Sequence, residues 1–399
     1  MTLIPVSDAI RLVLSDLHRL GVERVPITEA HGRVLAASLG AKLTQPPFDA
    51  SAMDGYAVRA VDVAALPATL ALIGESAAGA RFDGSVGPGQ AVRIFTGAPV
   101  PDGADTVVIQ EDTETRGDSV VVKDAVAGRH IRPRGQDFVE GEVYLKDRTR
   151  LGARDLILAA AMNYADLLVR RQPTVAILAT GDELMPPGSD LGPDQIVASV
   201  SYGIAALVET YGGKAIDLGI AGDDEAALAD AISRSAGADI LVTIGGASVG
   251  DRDLMKTALA NAGLKLEFSK VAMRPGKPVF FGRLGATRVL GLPGNPVSAF
   301  VCSVVFLRTM LRTLLGEDAP VVPQQAILAN ALPANGPRQH YVRATSTFTD
   351  DGTRHVRVLS SQDSSLMASL AKADCIIGQP PRSPGLPKGA KVVIVPLPN

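Results

Sequence analysis

Apolar residues recur at positions 10, 13, 14, 17 and 20 (Ile, Val, Leu, Leu, Leu), the spacing of one helix face, and Gly21 stands where such a helix would end. From there to about residue 170 the pattern shifts to short extended runs at 90–95, 106–110 and 119–122, punctuated by Pro and Gly as in small β modules. A helical stretch at 153–161 interrupts them. At Pro173 the texture changes. Residues 174–180, TVAILAT, form an unbroken apolar run suited to a strand covered on both faces. A helix-like stretch ending near YGG at 211–213 follows, then KAIDLGI, a helix-like DDEAALADAISR, and DILVTIGG at 239–246. Continuous apolar strands alternating with amphipathic helices predict βαβ units in a parallel sheet, reaching to about Gly316. Asn295-Pro296 is placed to open a long helix, with Asn as its N-cap and Pro in its first turn. Beyond residue 320, ILANAL, HYVRATSTF, HVRVLS and KVVIVPL read as short strands of a small β-barrel or sandwich.

The length of 399 residues exceeds one hydrophobic core and predicts roughly two to four domains. Hydrophobic residues at 46% and charged residues at 20% are ordinary globular usage. A net charge of -3 without a basic run argues against a general nucleic-acid binder, and leaves room for a local cationic pocket. Cys302 and Cys375 both sit in apolar runs and read as buried thiols, and no CxxC or Cys/His cluster suggests zinc. The N-terminus is too poor in apolar residues for a signal peptide, and the apolar stretch at 299–307 is stopped by Arg308, well short of the ~20 residues of a membrane span. These features point to the reducing cytoplasm and to no membrane partner.

Four loops follow strands of the α/β region, where open parallel sheets bind ligands. In Thr180-Gly181-Asp182-Glu183, two adjacent carboxylates suit a hard cation such as Mg²⁺, or else a solvated, capped turn. The run Gly245-Gly246-Ala247-Ser248-Val249-Gly250-Asp251-Arg252-Asp253 lets backbone N–H groups approach a phosphate, with Asp251 and Asp253 near for its metal. KVAMRPGK at 270–277 packs three cations between apolar flanks, which favours an oxyanion grip over an exposed basic turn. Gly291 to Ser298 joins a strand to a helix start, an anion site or only a well-capped helix. In the N-terminal half, PPFDASAMDGYAV, FTGAPVPDGADTVV and RPRGQDF set polar residues in Gly/Pro turns that are hard to explain as core. No Ser-His-Asp or Cys-His order occurs, and the five His residues have no metal-like spacing. The residues by themselves describe an anion-handling, Mg²⁺-using enzyme acting on a phosphorylated ligand.

FDASAMDGYAV, FTGAPVPDGAD, RPRGQD, ATGDEL, GGASVGDRD, RPGKPVFFG and GLPGNPVSAF follow one another between residues 46 and 300, and in this order the chain resembles the molybdopterin molybdenumtransferase family, which includes the E domain of gephyrin. The resemblance implies an elongated multidomain α/β plus β subunit. A helical and β linker and dimerisation domain would comprise 1–46 and 138–170, with an inserted β domain at 47–137. A doubly wound parallel α/β molybdopterin-binding domain would span 171–316, and a C-terminal β-barrel 320–399. It further implies a homodimer whose clefts each combine one subunit's α/β and C-terminal domains with the other's inserted domain. The implied reaction inserts molybdate-derived Mo into adenylated molybdopterin and releases AMP, with Mg²⁺ as cofactor. Other proteins of molybdenum-cofactor biosynthesis are implied as further partners.

Carried over residue by residue, the resemblance assigns catalytic positions to Asp54, Thr96, Asp137, Glu183, Asp223 and Asp253. It assigns substrate binding to Arg132, Ser248, Lys270, Arg274, Lys277, Ser298, Arg343 and Ser364. Lys277, Ser298, Arg343 and Ser364 would serve the molybdate dianion, while Asp182, Glu183 and Asp253 would hold the metal. This chain departs from the family pattern at Arg274, where Lys is usual, and at Ala198-Ser199-Val200, where Asp-Ser/Thr-Asn is usual. Two alternatives fit less well. The related adenylyltransferase carries Gly-Gly-Thr-Gly where this chain reads Gly245-Gly246-Ala247-Ser248, and it leaves the N-terminal half unexplained. A gephyrin-like scaffold finds no attached linker or partner domain here. Molybdate and tungstate, equal in charge and nearly equal in size, are not distinguished by these residues.

Overall fold

The computed structural model describes residues 3–246, 254–317 and 324–398. Its largest core surrounds a six-stranded sheet in the order Lys214–Ala221, Thr174–Thr180, Ile240–Ile244, Thr287–Leu292, Phe280–Leu284 and Lys265–Phe268. Alternate residues of Thr174–Thr180 enter different cores: Val175 and Ile177 on one face, Ala176 and Leu178 on the other. Both faces are therefore covered, which is why the run reads as continuously apolar. The first four strands are parallel, as expected, but the last two pairings are antiparallel. The reason is local. Phe280–Leu284 and Thr287–Leu292 are joined only by Gly285 and Ala286, with Gly285 at φ 60°, and so short a connection makes a hairpin.

Helix Glu225–Arg234 opens where the sequence places it, because the Asp224 carboxylate accepts from the backbone N–H groups of Ala226 and Ala227 at 3.0 and 2.9 Å. The N-terminal helix is shorter than its stripe suggests and spans Val6–Leu14. Ser15 Oγ turns back to Leu12 O at 2.7 Å and Asp16 adopts φ 52°, so Leu17 and Leu20 reach the core from non-helical chain. The helix opened by Pro296 runs on through Arg308 to Leu315, 20 residues with a mean hydropathy of 1.6, longer than the apolar stretch read from sequence. By length and composition it could cross a membrane. Its Val297, Val301, Phe306 and Leu311 are instead buried in the largest core, so its apolar character belongs to sheet packing. A π-helical turn, Ser303–Leu307, interrupts it.

Two segments far apart in sequence make a further unit. Val22–Pro26 pairs with Asp166–Arg170 and Leu39–Gly40 with Val143–Leu145, around a core that includes Leu35, Phe138, Leu151 and Met162. The intervening chain forms its own six-stranded sheet, from Thr106–Ile109 at one edge to Thr113–Arg116 at the other. At the C-terminal end, Gln339–Phe348, Arg354–Val358, Gln324–Leu328, Lys391–Pro396 and Cys375–Gln379 close into a five-stranded barrel. Cys375–Gln379 is a full strand, where the sequence reading marks only an apolar run around a buried thiol. Met273–Arg274 pairs with Gln339 and His340 and so ties the α/β unit to the barrel.

The start of the α/β unit is clamped by Asp239. Its carboxylate accepts from Arg171 Nη1 and Nη2 at 3.0 and 2.7 Å, and from the Thr174 backbone N–H and hydroxyl at 2.7 and 3.0 Å. Burial works to raise its pKa, but the hydrogen bonds from Arg171 and Thr174 outweigh burial and lower it. Asp239→Ala is expected to cost about 2–3 kcal/mol at pH 7, an estimate reduced because the Arg171 end is solvent-screened. The folded pKa is depressed, so this stabilisation is present above the unfolded value near ~3.9 and is lost as pH falls through the folded value. Melting curves of wild type and variant should differ at pH 7 and converge in strong acid. A gap that persists there would refute the assignment.

Candidate functional site

The C-terminal ends of Thr174–Thr180, Ile240–Ile244 and Thr287–Leu292 open onto a cavity of about 780 Å³. Two glycines let the chain turn away tightly at its floor. Gly245 has φ 96°, and a Cβ there would lie 2.6 Å from Thr180 O; a Cβ at Gly181 would lie 2.4 Å from a Glu183 carboxylate oxygen. One wall is apolar, made by Leu184, Ile196, Val197, Ala198 and Val200. The departure at Ala198-Ser199-Val200 thus lies directly on the cavity. Pro278, Pro293, Gly294 and Asn295 form the opposite side, and the barrel unit contributes Ser365 and Met367.

Carboxylates stand at one end. Glu183 and Asp223 line the cavity, and Asp182 Oδ1 accepts the Asp223 backbone N–H at 2.9 Å. Partial burial, then the like charges of Asp182 and Glu183, raise the Asp223 carboxyl above its ordinary range. Among the described residues no three His, Cys, Asp or Glu side chains are grouped closely enough to hold a metal ion alone. Asp253 and Ser248, expected here, lie outside the described residues.

Lys277, Ser298, Arg343 and Ser364 do not line the cavity themselves; they gather where the barrel meets the α/β unit, close in the chain to, or hydrogen-bonded with, the lining segments at Pro278, Asn295–Pro296 and Ser365. Ser298 is 5% exposed, in the first turn of the helix that begins at Pro296, and its hydroxyl has no partner among the described residues. Asn295 does not cap that helix with its side chain, as the sequence suggests it should. The Ser364 carbonyl takes the Val297 N–H at 3.1 Å, and Asn295 Nδ2 donates to Ser364 Oγ at 3.0 Å. A barrel residue has taken over part of the capping. Arg343 is 1% exposed; its Nη2 braces the same loop through the carbonyls of Ser361 and Asp363 at 3.2 and 2.9 Å, and its Nη1 has no partner. Burial lowers its pKa, with Asp363 acting the other way.

Lys277 is exposed beside the cavity residue Pro278, and Gly276, at φ 101°, has no room for a Cβ against Cys302 Sγ. The basic loop therefore lies directly on the 296–315 helix. Arg274 pairs in register with His340, whose imidazole is pushed down to about 4 by burial and by Arg274, Arg338 and Arg343. Lys270 is half-buried, and its carbonyl accepts the Ile4 N–H at 3.3 Å.

Asp54 and Thr96 form one pair, Arg132 and Asp137 line another pocket, and none of the four borders the large cavity. Asp54 Oδ1 accepts from the Thr96 backbone N–H at 2.7 Å and its hydroxyl at 2.8 Å, which lower its pKa, the backbone bond most. Arg132 and Asp137 line a smaller pocket that Gly97, the neighbour of Thr96, also borders. The cavity residues Ser365 and Met367 carry no sequence signal of a site. Met367 Sδ meets Ser199 Oγ at 3.3 Å and links the barrel to the apolar wall.

Three family models match the chain: "MoeA N-terminal region (domain I and II)" over residues 4–163, "Probable molybdopterin binding domain" over 176–313, and "MoeA C-terminal region (domain IV)" over 325–397. A molybdopterin molybdenumtransferase of a Nostoc species is 36% identical over 408 residues, covering 98% of this chain and 94% of its own. Molybdopterin molybdenumtransferase 2 of Mycobacterium tuberculosis is 38% identical over 376 residues, covering 89% of this chain and 93% of its own. The crystal structure of the molybdopterin biosynthesis moeA protein from Pyrococcus horikoshii superposes with a TM-score of 0.84 at 29% identity, covering 99% of this chain and 100% of that one.

Proposed function

The chain belongs to the molybdopterin molybdenumtransferase family and is a transferase of molybdenum cofactor biosynthesis, and on that premise we propose that it inserts molybdate-derived Mo into adenylated molybdopterin with release of AMP. One observation carries the reading: the cavity at the strand ends is lined by the carboxylates of Glu183 and Asp223, and its lining residues Pro278, Pro296 and Ser365 are chain neighbours of Lys277, Ser298 and Ser364, which border the cavity without lining it. The carboxylate end suits a cation beside the adenylate phosphate. The seam of Lys277, Ser298, Arg343 and Ser364 suits a tetrahedral dianion, and the unpartnered Nη1 of buried Arg343 is a donor such an ion would satisfy.

Magnesium fits the oxygen donors of Asp182 and Glu183, which with Asp253 would hold it beside the phosphate and there supply charge neutralisation. Burial, then the neighbouring carboxylates of Asp182 and Glu183, raise the Asp223 carboxyl above its ordinary range, and a cation would relieve the repulsion part of this. Glu183→Gln is expected to slow AMP release by about 10-fold or more at low Mg²⁺ and to shift the Mg²⁺ titration to higher concentration. An unchanged titration would remove Glu183 from the metal site.

The active unit is a homodimer located in the cytoplasm. Asp54, Thr96, Arg132 and Asp137 act on the cavity of the partner subunit, which accounts for their absence from the lining of their own chain's cavity. Purified protein incubated with adenylated molybdopterin, Mg²⁺ and molybdate should release AMP; absence of AMP would sink the proposal.

A further inference from the structure

The inserted unit carries a second pocket of about 450 Å³, walled by Pro46, Pro47, Phe48, Arg132, Gln136 and Asp137. That volume lies in the range of small-molecule sites. Its two loops are fastened to each other before any ligand arrives. The backbone N–H groups of Gly135 and Asp137 donate to the carbonyls of Pro46 and Gln45, each at 3.0 Å. The Arg134 N–H meets Asp49 Oδ1 at 2.8 Å, and Arg134 Nε reaches Pro47 O at 3.2 Å. Phe138, 1% exposed, anchors the second loop in the core below.

Within this fixed frame the polar side chains are idle. Arg132, Gln136 and Asp137 make no side-chain hydrogen bond or ion pair among the described residues. Other charges on this unit do pair, as Glu114 does with Arg116 and Lys123 at 3.0 and 3.1 Å. Arg132 and Asp137 border one pocket without joining each other. Phe48 supplies an aromatic surface beside them, with the Arg81 guanidinium 6.0 Å from its centroid.

A guanidinium, a carboxylate and an amide around an aromatic ring complement a flat heterocycle that has N–H donors along one edge and a carbonyl oxygen nearby. An amino-oxo-pyrimidine ring has that edge; adenine has no carbonyl to offer Arg132. We propose that this pocket receives the pterin ring of the substrate, with Phe48 against the ring face, Asp137 accepting from its ring N–H and amino groups, and Arg132 donating to its carbonyl. The proposal rests on the molybdenumtransferase reading and adds which unit holds which part of the substrate. The inserted unit takes the pterin and the α/β unit takes the nucleotide.

The test uses the full chain and two probes, a simple 6-substituted pterin followed by its own fluorescence and AMP followed by calorimetry. The protein has no Trp, which keeps the optical signal clean. Wild type should bind both. Asp137→Ala and Phe48→Ala should each weaken pterin binding by about 10-fold or more while AMP affinity stays within roughly two-fold. Asp137 is exposed, so its variant should melt as wild type does and keeps the test valid even if Phe48→Ala folds poorly. Wild type that binds no pterin, or variants that bind it as well as wild type, would overturn the proposal. Either result leaves the molybdenumtransferase reading standing if wild type still releases AMP from adenylated molybdopterin, so the two failures are distinguishable.

Discussion

Lys277→Ala is expected to raise the molybdate concentration needed for half-maximal cofactor formation by about 10- to 150-fold, the equivalent of one charge-assisted hydrogen bond of roughly 1.5–3 kcal/mol. Lys277 is exposed next to Pro278 on the cavity wall, and its ammonium has no ion pair among the described residues to compete for it. Removing it leaves no buried charge behind, so little stability should be lost and the effect should fall on the anion. High molybdate should partly restore the rate, and binding of adenylated pterin should hardly change. Arg343→Ala should behave differently, because Arg343 also braces the loop bearing Ser364 through Ser361 and Asp363. Its loss leaves two part-buried loop carbonyls without their donor and should lower the melting temperature as well as molybdate affinity. A Lys277 variant with unchanged molybdate dependence and lost pterin binding would move Lys277 to the organic ligand.

At molybdate low enough that Lys277→Ala is essentially silent, equal mixing of Asp54→Asn and Lys277→Ala subunits, after proven exchange, should recover about one quarter of wild-type activity. Half of the dimers would then be mixed, and each mixed dimer holds one intact site of two. Asp54 is held by Thr96 in turns flanking the inserted sheet, hydrogen bonds that lower its pKa, and neither residue borders the large cavity. If both residues served the same cleft from one chain, every mixed dimer would restore one wild-type subunit in neither cleft, and activity would stay at the level of the parents. Recovery therefore distinguishes sharing across the dimer from a cleft built within one subunit.

Much of this arrangement was legible because the α/β region obeys simple rules. Thr174–Thr180 is continuous in hydrophobicity because both its faces are covered, and Asp224 caps the following helix in the expected way. The antiparallel edge of the sheet was harder to read, since nothing in the apolar pattern of Phe280–Leu284 records direction; only the two-residue Gly285-Ala286 link does. The early end of the first helix depends on Ser15 and Asp16 leaving helical geometry, which the stripe through Leu17 and Leu20 conceals. At the site, the carboxylates and the basic loop carry charges that a sequence displays openly. Ser365 and Met367 reach the cavity only because the barrel docks there, and Asn295 gives up its capping role to a carbonyl 69 residues away, contacts that local chemistry does not encode.

Breakdown of the adenylate and Mo insertion are expected to be one coupled event at this cavity. The direct measurement is the yield of Mo-loaded pterin per AMP released, from purified protein supplied with adenylated molybdopterin, Mg²⁺ and graded molybdate. Coupling requires the two products to rise together, one for one, and AMP release to depend on molybdate. AMP released at full rate without molybdate, or adenylated pterin formed from ATP instead of consumed, would contradict it.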